Sequence, residues 1–167
     1  MQPKRKIWFG GNGRVGESVP GPSTIFITMI EKYKELGFHY VGFMTDSDDF
    51  ARDVDVVSDS EMICDKPGVY IIADTEGRVL KIGESMDLNK RIFRAYKWIK
   101  NSTNDKVRNY MKENGTLRFY VLPTPLITAA VAGFDCTASF NKSLERELLK
   151  DFRDNYDALP ILNAGVA

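Results

Sequence analysis

Residues Lys66–Ser85 read KPGVYIIADTEGRVLKIGES. Val69 and Ile71 alternate with Tyr70 and Ile72, the period that a β-strand requires. Asp74–Gly77, DTEG, supplies a turn in which Gly77 can take a positive φ. RVLKIG is then the return strand. A hairpin symmetric about Thr75 and Glu76 pairs Ala73 with Arg78, Ile72 with Val79, Ile71 with Leu80 and Tyr70 with Lys81. A bulge would shift that register. Lys81 stands out, because a cation inside an apolar strand is costly unless a neighbour needs it.

Downstream, a helix is expected from about Asp87 to Lys100. At about 100° per residue, Leu88, Ile92, Ala95, Tyr96 and Ile99 share an apolar arc. Lys90, Arg94 and Lys97 fall on the opposite face. Arg91 falls on the border near Trp98, where an arginine can keep its stem dry and aim its guanidinium into a cleft. A second helix, roughly Asp105 to Asn114, ends at Gly115. TLRFYVL is a third strand, and this region runs to about Pro123. Residues 124–167 hold a loop and a final helix, about Ser143 to Tyr156. Its buried arc is Leu144, Leu148, Leu149, Phe152 and Tyr156. Glu145 points into that arc and Glu147 away from it. An acid on a buried face needs a cation or a metal ion as partner.

Upstream, residues 1–65 form an N-terminal extension. PSTIFITMIEKYKELGF reads as a helix through Lys34 stopped by Gly37, and HYVGFM as a strand. Gly11, Gly13 and Gly16 fit GxGxxG, but Pro20, Gly21 and Pro22 follow and block the helix that a dinucleotide site needs. No nucleotide cofactor is expected.

The chain has 167 residues, 43% of them hydrophobic, enough to build a core. No apolar run nears the ~20 residues that cross a bilayer. MQPKRKIWFGG is basic but lacks the apolar stretch of a signal peptide. Cys64 and Cys136 make no disulfide framework and no metal spacing, as in a reducing compartment. A cytoplasmic protein away from membranes is expected. Net charge is zero but unevenly spread. Lys66–Phe119 carries 12 Lys/Arg against 6 Asp/Glu, and Thr45–Asp65 carries 1 against 8. A basic working surface beside an acidic segment fits that split. His39 lies outside the basic region and reads as structural.

GVY at Gly68–Tyr70, KIG at Lys81–Gly83, DLNKR ending at Arg91, LERELLK at Leu144–Lys150 and LPILN ending at Asn163 resemble the GIY-YIG nuclease family. The resemblance covers about 66–163 and includes the catalytic module of the bacterial excision-repair nuclease and small restriction enzymes. It implies an α+β fold, a small three-stranded antiparallel sheet flanked by helices. Residues 66–167 would be the catalytic domain. It also implies phosphodiester hydrolysis with one divalent metal per site. Glu145 would ligate Mg²⁺, Arg91 would hold the scissile phosphate, and Tyr70 would act on the attacking water. Gly68, Gly83 and Asn163 would be structural. The chain departs from the family at Lys81, where a tyrosine is usual, and at Glu84, where a basic residue is common. Glu84 reads as a solvated turn residue.

Free tyrosine loses its proton near pH 10, and an adjacent cation lowers that value. In the symmetric register Lys81 faces Tyr70 across the ladder, with ~5 Å between Cβ atoms. Lys81 then either activates Tyr70 or contacts phosphate. Lys90, Arg94 and Lys97 would neutralise DNA backbone phosphates. DNA reading would fall to residues 1–65, with MQPKRKIW as a groove arm, and to the 124–141 loop. The expected function is a metal-dependent endonuclease, foremost a type II restriction endonuclease. A homodimer is expected because one site cuts one strand. A phage or mobile-element nuclease, a non-catalytic nucleic-acid-binding module and a protein-binding domain whose acidic segment mimics DNA are the alternatives.

Overall fold

Every position of β3 (Gly68–Asp74) is buried. A strand with alternating side chains achieves that only when both faces of its sheet are covered. The computed structural model describes residues 22–45, 50–51, 65–96, 101–131 and 133–163. The GGNGRVG turn, the MQPKRKIW arm, most of the acidic segment, Lys97, Trp98 and Ile99 lie outside the described residues.

α1 (Pro22–Glu35) leads through Gly37, at φ 93°, into β1 (His39–Met44). β2 (Phe50–Ala51) pairs with the end of β1. After β3 come β4 (Val79–Ser85), a π-helix (Lys90–Ala95), α2 (Ser102–Asn114) and β5 (Leu117–Pro123). A hairpin, β6 (Leu126–Val131) and β7 (Phe134–Ser139), precedes α3 (Asn141–Tyr156). The main sheet is antiparallel in the order β2-β1-β5-β3-β4.

The expected three-stranded sheet is the β5-β3-β4 part of this. β1 adds a fourth full strand and β2 a two-residue edge. Pairing of β1 with β5 joins His39 to Val121 and Met44 to Leu117. These partners are far apart in sequence, so local pattern does not announce the pairing. The expected loop at 124–141 is instead mostly the β6-β7 hairpin, which forms its own two-stranded sheet and turns at Gly133, φ 82°.

Two cores flank the main sheet. Tyr70, Ile72, Phe119 and Val121 pack on one face with Leu88, Ile92 and Tyr96 and with Val107 and Met111 of α2. Val69, Ile71, Ala73 and Tyr120 pack on the other with Met29, Ile30 and Tyr33 of α1 and Leu148 and Phe152 of α3. Among the described residues no helix is long and apolar enough to cross a membrane.

The hairpin register is not the symmetric one. Asp74 Oδ1 accepts from the backbone N–H of both Glu76 and Arg78, which lengthens the turn. Ala73 pairs with Val79, a bulge skips Leu80, and Ile72 pairs with Lys81. Tyr70 therefore pairs with Gly83 and not with Lys81. The turn and the bulge contribute one residue each, so the slip is even and Lys81 stays on the Tyr70 face.

Candidate active site

Tyr70 crosses the sheet onto a residue without a side chain. A Cβ on Gly83 would lie 2.5 Å from Tyr70 Cζ. Gly83 thus makes the space in which the phenol sits. Gly68 is equally constrained, since a Cβ there would approach the Leu122 carbonyl oxygen at 2.5 Å.

The Tyr70 hydroxyl is engaged twice. It shares a hydrogen bond with the Tyr96 hydroxyl at 2.8 Å and accepts one from Arg91 Nε at 3.1 Å. The Arg91 guanidinium lies 4.8 Å from the Tyr96 ring centroid and 5.8 Å from that of Tyr70, within cation–π range. Asp87 starts this segment: its carboxylate accepts from Lys90 N at 2.8 Å, as an N-cap does. The π winding over Lys90–Ala95 brings residues five apart together, which is the spacing of Arg91 and Tyr96. α2 fixes the far end, with Asn104 Nδ2 donating to the Ala95 carbonyl at 2.9 Å and Arg108 Nη1 to that of Tyr96 at 2.6 Å.

Burial pushes the Tyr70 phenol above its usual pKa, opposed by the Arg91 charge and the hydrogen bonds from Tyr96 and Arg91. The cation at this oxygen is Arg91, so the expected Lys81–Tyr70 opposition does not form. Lys81 is 5% exposed. Burial first, then the Arg91 charge, bring its ammonium down to about 8, with Glu145 pulling the other way.

Glu145 is half-buried on α3. Burial and the nearby Glu84 carboxylate raise its pKa, and Lys81 lowers it. No hydrogen bond or ion pair reaches it from a described residue. Glu147 is exposed. Glu84 is not a turn residue. It lies in β4 opposite Val69, half-buried, and its carboxylate accepts from Asn141 Nδ2. Asn141 is itself buried and accepts from Ser139 Oγ at 2.8 Å.

Tyr70, Lys81, Arg91 and Glu145 line one cleft of about 320 Å³, together with Gly83 and Glu84. They come from β3, β4, the π-helix and α3. Asn163 also lines the cleft and holds the outer edge of β4. Its Oδ1 accepts from Ile82 N at 2.8 Å and its Nδ2 donates to Ile82 O at 2.7 Å. Lys90 and Arg94 are exposed, and Lys90 pairs with Asp87 at 3.4 Å.

Two site residues escape a reading by pattern. Tyr96 falls in the apolar arc and reads as core, though a buried phenol needs a polar partner. Asn141 carries no sequence signal. Among the described residues no group of three His, Cys, Asp or Glu gathers. A hard divalent ion still fits Glu145, because Mg²⁺ takes one or two carboxylates and completes its shell with water and phosphate oxygens.

No family model matches the chain, and no curated protein does. The fold is similar to that of a mutant of bacteriophage T4 EndoII, with 18% identity and a TM-score of 0.56 over 75% of this chain and 95% of that one. The restriction endonuclease HPY188I in complex with product DNA aligns at 18% identity and a TM-score of 0.48, over 90% of this chain and 99% of that one. At such identities the likeness to EndoII is one of fold.

Proposed function

We propose that the chain is a metal-dependent DNA endonuclease of the GIY-YIG type, working as a type II restriction enzyme. The observation that carries this is the convergence of Tyr70, Lys81, Arg91 and Glu145 on one cleft. The fold likeness to a phage EndoII keeps a phage or mobile-element nuclease as the second reading.

In this reading Glu145 holds one Mg²⁺. When bound, the ion supplies positive charge against the phosphoryl oxygens. Arg91 holds the scissile phosphate with a guanidinium already oriented by two tyrosines. Lys81, charged below about pH 8, is a second phosphate contact. Tyr70 pairs with Gly83, and the cation at its hydroxyl is Arg91, which favours this role over activation of the phenol. Tyr70 holds the attacking water at its hydroxyl. In the resting site burial keeps the phenol proton on, so Tyr70 can take the water's proton only after giving up its own to solvent, a loss that positive charge in the cleft favours. Tyr96 positions Tyr70. Gly68, Gly83 and Asn163 shape the site. Lys90, Arg94 and Lys97 contact backbone phosphates, and residues 1–65 contribute the arm that reads DNA. One site cuts one strand, so the active form is a homodimer in the cytoplasm.

Plasmid cleavage in Mg²⁺ tests this. Wild type should give discrete fragments. Glu145→Ala and Tyr70→Phe should each lose about 10²–10⁴-fold in rate, and Glu147→Ala should retain activity. Nicking or smearing would sink the restriction reading. DNA binding without cleavage in any divalent metal would leave a binding module.

A further inference from the structure

A second groove, of about 540 Å³, adjoins the cleft and shares Glu84, Glu145, Leu149 and Leu159 with it. Its far wall is α3, where Lys142, Arg146, Lys150 and Arg153 line it with Glu147 among them. At about 100° per residue the four cations fall within about 80° of arc. Glu145 and Leu149 sit on one side of that arc, and Glu147, Asp151 and Asp154 on the other. All four cations are exposed. None has an ion pair among the described residues, whereas Asp151 is taken by Lys32 at 2.7 Å. From Lys142 to Arg153 the stripe runs ~16 Å at a rise of about 1.5 Å per residue. Like charges at this spacing repel and weaken a helix. A row of them lining a groove that adjoins the candidate cleft suits a polyanion.

We propose that this face of α3 is a track for the sugar-phosphate backbone of duplex DNA, leading it to Glu145. The proposal rests on the nuclease reading above. The track covers the rise of about five base pairs at ~3.4 Å each. It is separate from Lys90 and Arg94, whose π-helix packs on the other face of the sheet. Exposed cations then lie on elements of both layers. Such contacts hold and orient the duplex without reading its bases.

The test is fluorescence anisotropy of labelled duplex DNA with the full chain in EDTA, over a salt series. Arg146→Glu combined with Lys150→Glu should lose at least about tenfold in affinity at low salt. The slope of log K against log salt should fall by about two, near 0.9 for each phosphate that is no longer neutralised. The neutral pair Arg146→Gln and Lys150→Gln should give the same change in slope, which covers a folding defect in the reversed pair. Lys112→Glu, on α2 across the sheet, should move both quantities little. Affinity and slope unchanged in both pairs, with wild type cutting DNA in Mg²⁺, would overturn the track and leave the nuclease reading standing. A wild type that neither binds nor cuts duplex would overturn both.

Discussion

Burial and the Arg91 guanidinium bring the Lys81 ammonium down to about 8 from an ordinary 10.5. The unfolded chain therefore binds more protons between those two values, and this group's contribution makes stability rise with pH across that window. Below about pH 8 the buried charge is a standing cost, at most about 3 kcal/mol. Lys81→Met should remove it and raise stability in urea denaturation at neutral pH, while lowering cleavage. A substitution that stabilises and inactivates together marks a cation kept for function. Phosphate binds the protonated form, so metal-free DNA affinity should fall as pH rises through about 8. Lys81→Arg stays charged and should flatten that fall. Gly83 makes the complementary case. Gly83→Ala forces a methyl against the Tyr70 ring and should cost about 1–3 kcal/mol of stability. Cleavage should fall with it as Tyr70 is displaced. A variant with wild-type melting and wild-type cleavage would show that the ring can move aside.

At the scale of elements, the edge strand β4 is held by a side chain where a neighbouring strand would be. Asn163 supplies the acceptor and donor that the Ile82 backbone lacks, and Leu162 N donates to Leu80 O at 2.8 Å. Asn163→Ala leaves two buried backbone groups without partners and should cost about 2–4 kcal/mol. Hydrogen exchange at the Ile82 amide should quicken accordingly. Native exchange there would mean that water replaces the amide. Helical phase made much of the rest legible. The arc of Leu88, Ile92, Ala95 and Tyr96 is buried, Arg91 sits half-buried at its border, and α3 turns Glu145 inward and Glu147 out. The hairpin register was not legible, because a side chain, Asp74, sets the turn length and a bulge at Leu80 adds a second slip. Nor was the basic face of α3, whose four cations are matched by Glu145, Glu147, Asp151 and Asp154 in the same helix. Charge counted along the sequence cancels there; charge sorted by phase does not.

At the scale of the whole molecule, the element existence in residues 22–45 was readable, but its attachment was not. α1 and β1 follow from the apolar period and the Gly37 stop, yet nothing local says that β1 lies against β5, more than seventy residues on. That pairing decides how much of the chain folds as a unit. Met29, Ile30, Tyr33 and Phe38 are all buried and share one core with Val69, Ile71 and Tyr120. Burying each such side chain contributes about 1.5–3 kcal/mol, so the four contribute about 6–12. A domain's entire stability is about 5–15 kcal/mol. Without β1 the edge of β5 would also present a row of unpaired backbone groups. Residues 66–167 expressed alone should therefore show no cooperative thermal transition and should aggregate, although every cleft residue is present. A sharp melt with native-like amide dispersion would instead make α1 and β1 an appendage, and residues 1–65 would be free to act only in reading DNA.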